Sequence, residues 1–309
     1  MSPRTLLPIV EHQNDPEMLR LLRAASASHA RAQRLASGHV VVSTALAVGA
    51  VVGVFVPVSL TPLSLVGLVW AVVYAVGASA WTKNEFRRAA LLQEIFDTRL
   101  FGLPWNHVLV GREPSADEIS RLARHYRGSP ARLRDYYEIQ DLPRPFDIVA
   151  CQLQNLGWGS RIRRRYAGFV RTGLVLWCAA GVLAGVLNRM PLTDVLMDWY
   201  VPSLGLLLLG VDTYQAQQDT VAAREHARKT LLTRTEQYAR AGALEAQAVG
   251  MLSLARQVQD VLLQTRLTQA RVPNWFFNRF LDTDRADFAA AMDELGRLVT
   301  TPTTASGQG

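Results

Sequence analysis

Charge vanishes from the chain between Leu35 and Thr82, where no Asp, Glu, Lys or Arg occurs and only the Pro57 to Pro62 turn interrupts the apolar run. A helix needs about 20 predominantly apolar residues to cross a hydrocarbon core of about 30 Å. His39 to Val58 and Pro62 to Trp81 each supply that length, which predicts two membrane-spanning helices folded into a hairpin. A second pair follows downstream. Thr172 to Asn188 is uncharged, Val195 to Val211 is apolar apart from Asp198, and Arg189 to Asp194 joins them. Mean hydropathy is only +0.08 because long charged stretches dilute the four windows; local windows decide membrane insertion, not the average. The pattern predicts an all-α membrane protein with four transmembrane helices in two hairpins and a helical cytoplasmic body.

The polar stretches divide the rest. Residues 1–38 form a cytoplasmic N-terminal segment with a helix from Pro16 to about Ser37, opened by Asp15 as N-cap and running toward span one. Residues 39–82 are the first hairpin. Residues 83–171 begin with a helical extension from Asn84 to Leu100, where Phe86, Ala90, Gln93 and Asp97 recur at helical spacing. Ser115-x-x-Glu118 is a capping-box pattern, Gly128 with Pro130 is expected to end that helix, and helices near Leu133 to Tyr137 and Pro145 to Gly157 follow. Residues 172–213 are the second hairpin. In residues 214–300, Leu244, Ala248, Met251, Ala255, Val258 and Leu262 fall at steps of four and three, a packed seam. Its partner is either the extensions of spans one and two or the same helix of another subunit. Residues 301–309 are expected to be a disordered tail.

Basic residues orient the hairpins. The two short loops offer only Arg189, whereas Lys83, Arg87 and Arg88 follow span two, Arg161 to Arg165 precede span three, and Arg224, Arg228 and Lys229 follow span four. Both termini and the middle segment are therefore expected on the cytoplasmic side. The first apolar run lies behind Arg20, Arg23, Arg31 and Arg34, too late and too long for a cleavable signal peptide. A net charge of +7 and a pI near 9.8 would point to nucleic acid in a soluble protein. Here the excess sits beside membrane ends, so the lipid bilayer is the expected partner and DNA is not. Cys151 and Cys178 are the only cysteines, one in the cytoplasmic segment and one in span three, and imply no disulfide framework.

Catalytic chemistry is not written into the chain. The six histidines are scattered, neither cysteine has a metal-ligand spacing, and the phosphate-cradling and nucleophile-elbow motifs are missing. Ser115, Asp117 and His125 can be drawn as a triad, but a cap and a surface helix account for them. We read the protein as a non-enzyme without cofactor or metal. The spans say more. Ala45, Gly49 and Gly53, then Gly67, Ala71 and Ala75, then Gly181 and Gly185 are small-xxx-small patterns that let helices approach closely, either within one chain or between subunits. Asp194, Asp198 and Asp212 flank or enter span four; they are either wetted at the interfaces or, for Asp198, part of an ion path.

Three groups of residues go beyond a generic membrane protein: Gln93-Glu-Ile-Phe-Asp97 with Leu103-Pro-Trp-Asn106; Tyr136-Tyr137 ahead of Cys151-Gln-Leu-Gln-Asn155, Trp158 and Arg161 to Tyr166; and Gln259-Asp260, Arg266 and Val272-Pro-Asn-Trp-Phe276. In their order and spacing they resemble the SMODS- and SLOG-associating four-transmembrane family of pore-forming effectors, over most of the chain. Where that family has an acidic residue after the tryptophan, this chain has Gly159. The resemblance implies a bacterial inner-membrane antiphage effector that self-associates and permeabilises the membrane after a cyclic-oligonucleotide signal, bound directly or through a partner. For direct binding, Trp158 with Arg161, Arg163, Arg164 and Arg165 offers aromatic faces for bases and guanidiniums for phosphates. The same arginines also read as a positive-inside anchor for span three. Gln93, Asp97, Trp105, Asn106, Gln152 and Asn155 read as a buried network between the cytoplasmic helices. A constitutive ion channel or transporter and a pore-free membrane scaffold are the rival functions.

Overall fold

A computed structural model of the chain describes residues 7–56, 61–242, 245–268 and 272–280, together with residues 283, 288, 292, 293, 296 and 297. The turn at residues 57–60, Leu244 of the expected seam and the tail after Thr300 lie outside the described residues. Among the described residues every regular element is helical. The chain runs through α1 (Ile9–His12), α2 (Pro16–Phe55), α3 (Thr61–Val73), a π-helical turn at Tyr74–Ala78, α4 (Ser79–Phe101), α5 (His107–Val110) and α6 (Ala116–Ala123). A 3-10 turn at Pro130–Leu133 leads to α7 (Phe146–Leu187), α8 (Leu192–Asp194), a second π-helical turn at Val195–Tyr200, α9 (Val201–Arg240) and α10 (Glu245–Leu267).

Length explains the architecture. The 40 residues of α2 and the 42 of α7 measure about 60 Å each at 1.5 Å per residue, twice the hydrocarbon thickness. Each spanning helix therefore projects well out of the bilayer, and the projections pack into one body. Four helices are long and apolar enough to cross a membrane. Their apolar windows wear their side chains outward: Val66, Leu68, Val76, Leu183 and Val186 are exposed. In the body the pattern inverts. Leu21 and Leu22 of α2, Leu92, Ile95 and Phe96 of α4, Ile148 and Cys151 of α7, and Ala255 of α10 share one buried core. A second core joins Leu153 and Leu156 of α7, Leu231 of α9, and Met251, Val258 and Leu262 of α10. Lipid is the solvent that satisfies the first pattern and water the second.

The seam of α10 is buried at Met251, Ala255, Val258 and Leu262, with Ala248 half-buried. It packs on α9, α4 and α7. The extension of span two is thus one partner as expected, those of spans three and four are the others, and the described positions of the seam pack within the chain.

Several expected boundaries move, each for a local reason. Asp15 sits at the N-cap of α2, but its side chain makes no capping hydrogen bond. Ser115 does cap, its Oγ accepting from Glu118 N at 3.3 Å, yet α6 stops at Ala123, well before Gly128. Of Leu133 to Tyr137 only Leu133 is helical, as the end of the 3-10 turn: the backbone of Tyr137 instead pairs with the Gln13 side chain, donating to Oε1 at 2.8 Å and accepting from Nε2 at 3.2 Å. α7 does not end at Gly157 but continues into span three. A mid-helix glycine costs only about 1 kcal/mol against alanine, less than the packing on both sides. α4 ends where Gly102 adopts φ +66°, a left-handed cap, with Leu103 N donating to Thr98 O at 2.9 Å.

Candidate functional site

The centre of the body is polar. Glu94 and Asp97, on successive turns of α4, are both buried and face α10. Asp97 accepts from Tyr137 Oη at 2.6 Å on one oxygen, and from Gln259 Nε2 at 2.9 Å and Arg266 Nη1 at 2.8 Å on the other. Glu94 accepts from Gln259 Nε2 at 2.9 Å and Arg256 Nη2 at 2.7 Å. Arg256 continues to Asp260 at 2.5 Å, and Asn106 Nδ2 donates to the same carboxylate at 3.2 Å. Gln152 reaches Ala255 O at 2.7 Å, and Asn155 Nδ2 donates to Tyr137 Oη at 2.7 Å. Burial, opposed by Arg266, Gln259 and Arg256, holds the Glu94 carboxyl above its ordinary range. Burial also pushes Tyr136 up to about 12, so its phenol stays neutral. The network ties α4, α7 and α10 together, with Gln152 Oε1 and Arg256 Nε buried and unpaired within it.

Beside this network the body opens into a cleft with two lobes, of about 660 and 350 Å³, which share His29, Ala89, Gln93, Tyr136 and Asn274. Arg31, Arg34, Arg127 and Arg132 line the larger lobe, with Tyr126 and His125. Arg163, Arg224 and Arg266 line the smaller, with Trp158, Phe86 and Phe277. Among the described residues no carboxylate lines either lobe. Arg224, on α9, is buried; its Nε donates to Thr265 Oγ1 at 2.9 Å and its Nη1 to Asn155 O at 3.1 Å. Among the described residues it has no acidic partner. Burial, then the neighbouring charges of Arg163 and Arg266, push its pKa down. Gly159 makes this position possible, because a Cβ there would lie 1.8 Å from Arg224 Nη1. Arg163 donates to Gln217 Oε1 at 3.0 Å, and burial lowers it to about 10. Arg266 is shared: it lines the cleft and pairs with Asp97.

The arginine cluster expected at the start of span three is thus split. Trp158 and Arg163 face the cleft. Arg164 pairs with Glu225, and Arg165 lies over the Phe280 ring at 4.7 Å. Arg161 is half-buried and, like Arg164 and Arg165, does not line the cleft. Helix geometry is the reason: five consecutive positions cover more than one turn, so they cannot share a face. In exchange the fold delivers Arg224 and Arg266 from distant helices.

In the spans, Gly181 and Gly185 pack inside the chain. A Cβ on Gly181 would meet the Trp199 indole at 2.7 Å, and one on Gly185 the Val195 side chain at 2.5 Å. Gly49 and Gly53 are half-buried, Ala45 is exposed, and among the described side chains of span one Ala47 and Val51 are buried. Asp194, Asp198 and Asp212 are all exposed on the protein surface, Asp198 on the second π turn. Ser115 and His125 do not form a dyad: Ser115 caps α6, and His125 Nδ1 lies 2.9 Å from Arg121 O.

Fold and site together define a multi-pass membrane protein whose spanning helices extend into a water-facing body holding an arginine-lined cleft. The chain belongs to the SMODS-associating four-transmembrane effector family, whose model matches residues 7–295. It is similar to a Bacillus cereus (strain VD146) protein described as a probable CBASS effector molecule, at 23% identity over 217 residues, 69% of this chain and 70% of that protein. No solved structure gives a significant match.

Proposed function

We propose that the protein is a CBASS antiphage effector of the bacterial inner membrane, with both termini cytoplasmic, that binds a cyclic-oligonucleotide signal in the cleft, self-associates and permeabilises the bilayer. One observation carries the ligand assignment: Arg224, buried beside Arg163 and Arg266, has no carboxylate partner among the described residues. A buried charge without a counterion is costly, and a phosphate supplies one with bidentate geometry. Trp158, Tyr136 and Tyr126 offer the faces on which bases stack.

The same residues support a route from ligand to bilayer. A phosphate drawn to Arg266 competes with Asp97, which couples α4 to α10. Because α2, α4, α7 and α9 all continue from the body into spans, a shift at the cleft moves helices that cross the membrane. The basic residues flanking the spans support the cytoplasmic placement.

The test is direct binding. Purified protein in lipid nanodiscs is titrated with a panel of cyclic di- and trinucleotides by calorimetry. At least one binds, and Arg224→Ala weakens it about 10- to 100-fold, the loss of charged hydrogen bonds worth about 1.5–3 kcal/mol. Failure of every cyclic oligonucleotide to bind, or binding unchanged in Arg224→Ala, removes the assignment.

A further inference from the structure

In the segment Val272-Pro-Asn-Trp-Phe276, Val272 and Asn274 line the cleft, but Trp275 and Phe276 belong to neither the cleft nor the network. Residues 274–280 are helical and lie against α7 just before span three. Phe169 of α7 meets Trp275 edge-on at 5.9 Å and Phe276 at 5.7 Å; Tyr166 meets Phe276 at 5.2 Å. Trp275 is nevertheless 61% exposed and Phe169 55%. Two large aromatic rings therefore stand together with their outer faces uncovered.

Their depth follows from helix register. Arg163 on α7 reaches Gln217 on α9 at 3.0 Å, which sets those positions level. Counting toward the bilayer at 1.5 Å per residue, Phe169 lies about 9 Å further along α7 and Asp212 about 7.5 Å further along α9. Asp212 closes the apolar run of span four, so Phe169 and Trp275 stand at the mouth of the bilayer. Phe169 also begins a stripe. Leu176 and Leu183 follow at steps of seven, on the same face of α7, and both are exposed. Within span three that stripe faces lipid. Trp275 stands beside its first ring, the depth at which tryptophan, with an apolar body and a polar N–H, is favoured.

We propose that residues 272–280 form an in-plane membrane anchor, with Trp275 and Phe169 seated in the headgroup layer of the bilayer. The partner is the lipid surface itself. The opposite side of the same segment, through Asn274 and Phe277, lines the cleft, so one short helix touches both cleft and membrane. The proposal stands whether or not the cleft holds a nucleotide.

Spin labelling tests it. Trp275→Cys is labelled with a nitroxide in a Cys178→Ser background, Cys151 being fully buried, and the protein is placed in nanodiscs. Label on Val108→Cys, at a site 99% exposed in the body, is the aqueous control. The ratio of oxygen to nickel-chelate accessibility is expected to be several-fold higher at 275 than at 108. A ratio equal to the control, or shielding from both reagents as under a second protein copy, overturns the proposal. The unmodified chain gives a second reading that no folding defect can blur: in nanodiscs carrying a headgroup-diazirine lipid, adducts are expected on the peptide containing residues 272–280. Adducts on the spans without any on that peptide would also overturn it.

Discussion

Asp97 holds three donors at once, from Tyr137, Gln259 and Arg266, at full burial. Removing its charge while keeping its shape leaves Arg266 with the more distant Glu94 carboxylate, at 3.9 Å, in a low-dielectric site already crowded by Arg224 and Arg163. Asp97→Asn is therefore expected to lower stability by about 3–5 kcal/mol, measured as the shift in chemical unfolding in detergent micelles. Arg266→Gln added to Asp97→Asn should cost far less than Arg266→Gln alone, the mark of a coupled pair. At the cleft, Gly159→Val thrusts a side chain into the Arg224 guanidinium; in the proposed function it weakens ligand binding about as much as Arg224→Ala, read by the same calorimetry. Part of this was legible beforehand. Gln93, Asp97, Gln152 and Asn155 are polar residues on helices, which is how a buried network announces itself; Asn106 is the N-cap of α5, and Trp105 donates to Gly111 O instead of joining the network. Arg224 and Arg266 look like ordinary helix arginines in the sequence; only the crossing of α7, α9 and α10 brings them to Arg163.

Spanning helices were the most readable elements, because a charge-free run of bilayer length is rarely anything but a membrane span. Their ends were less so. Tyr137 leaves the helical path for the Gln13 side chain across a separation of 124 residues, a contact no local pattern encodes. Gly157 and Gly159 look like breakers, but tertiary packing holds α7 together through both. In span three Gly181 and Gly185 bear on Trp199 and Val195. In span one Gly49 and Gly53 are half-buried, and Ala47 and Val51 are buried among the described side chains. The asymmetry within span three makes a prediction: Gly185→Val forces α7 from the second π turn and should cost about 1–3 kcal/mol by overpacking. Gly173→Val, where a Cβ meets open space, should be near neutral. Thermal unfolding of the two variants in detergent micelles checks the contrast.

At the scale of the whole molecule, rods about 60 Å long run unbroken between a lipid-facing half and a water-facing half. The body is cross-braced by charges, with Arg266 placed between cleft and brace. In the proposed function a change in charge balance at the cleft becomes a displacement of spans, provided ligand binding distinguishes two arrangements of the helices. Dye release from liposomes containing the purified protein measures this most directly. The account predicts release only when a cleft-binding cyclic oligonucleotide is added, and none from an Arg224→Ala variant that inserts normally. No release with any ligand at any protein density, release without ligand, or release unaltered in Arg224→Ala would contradict it.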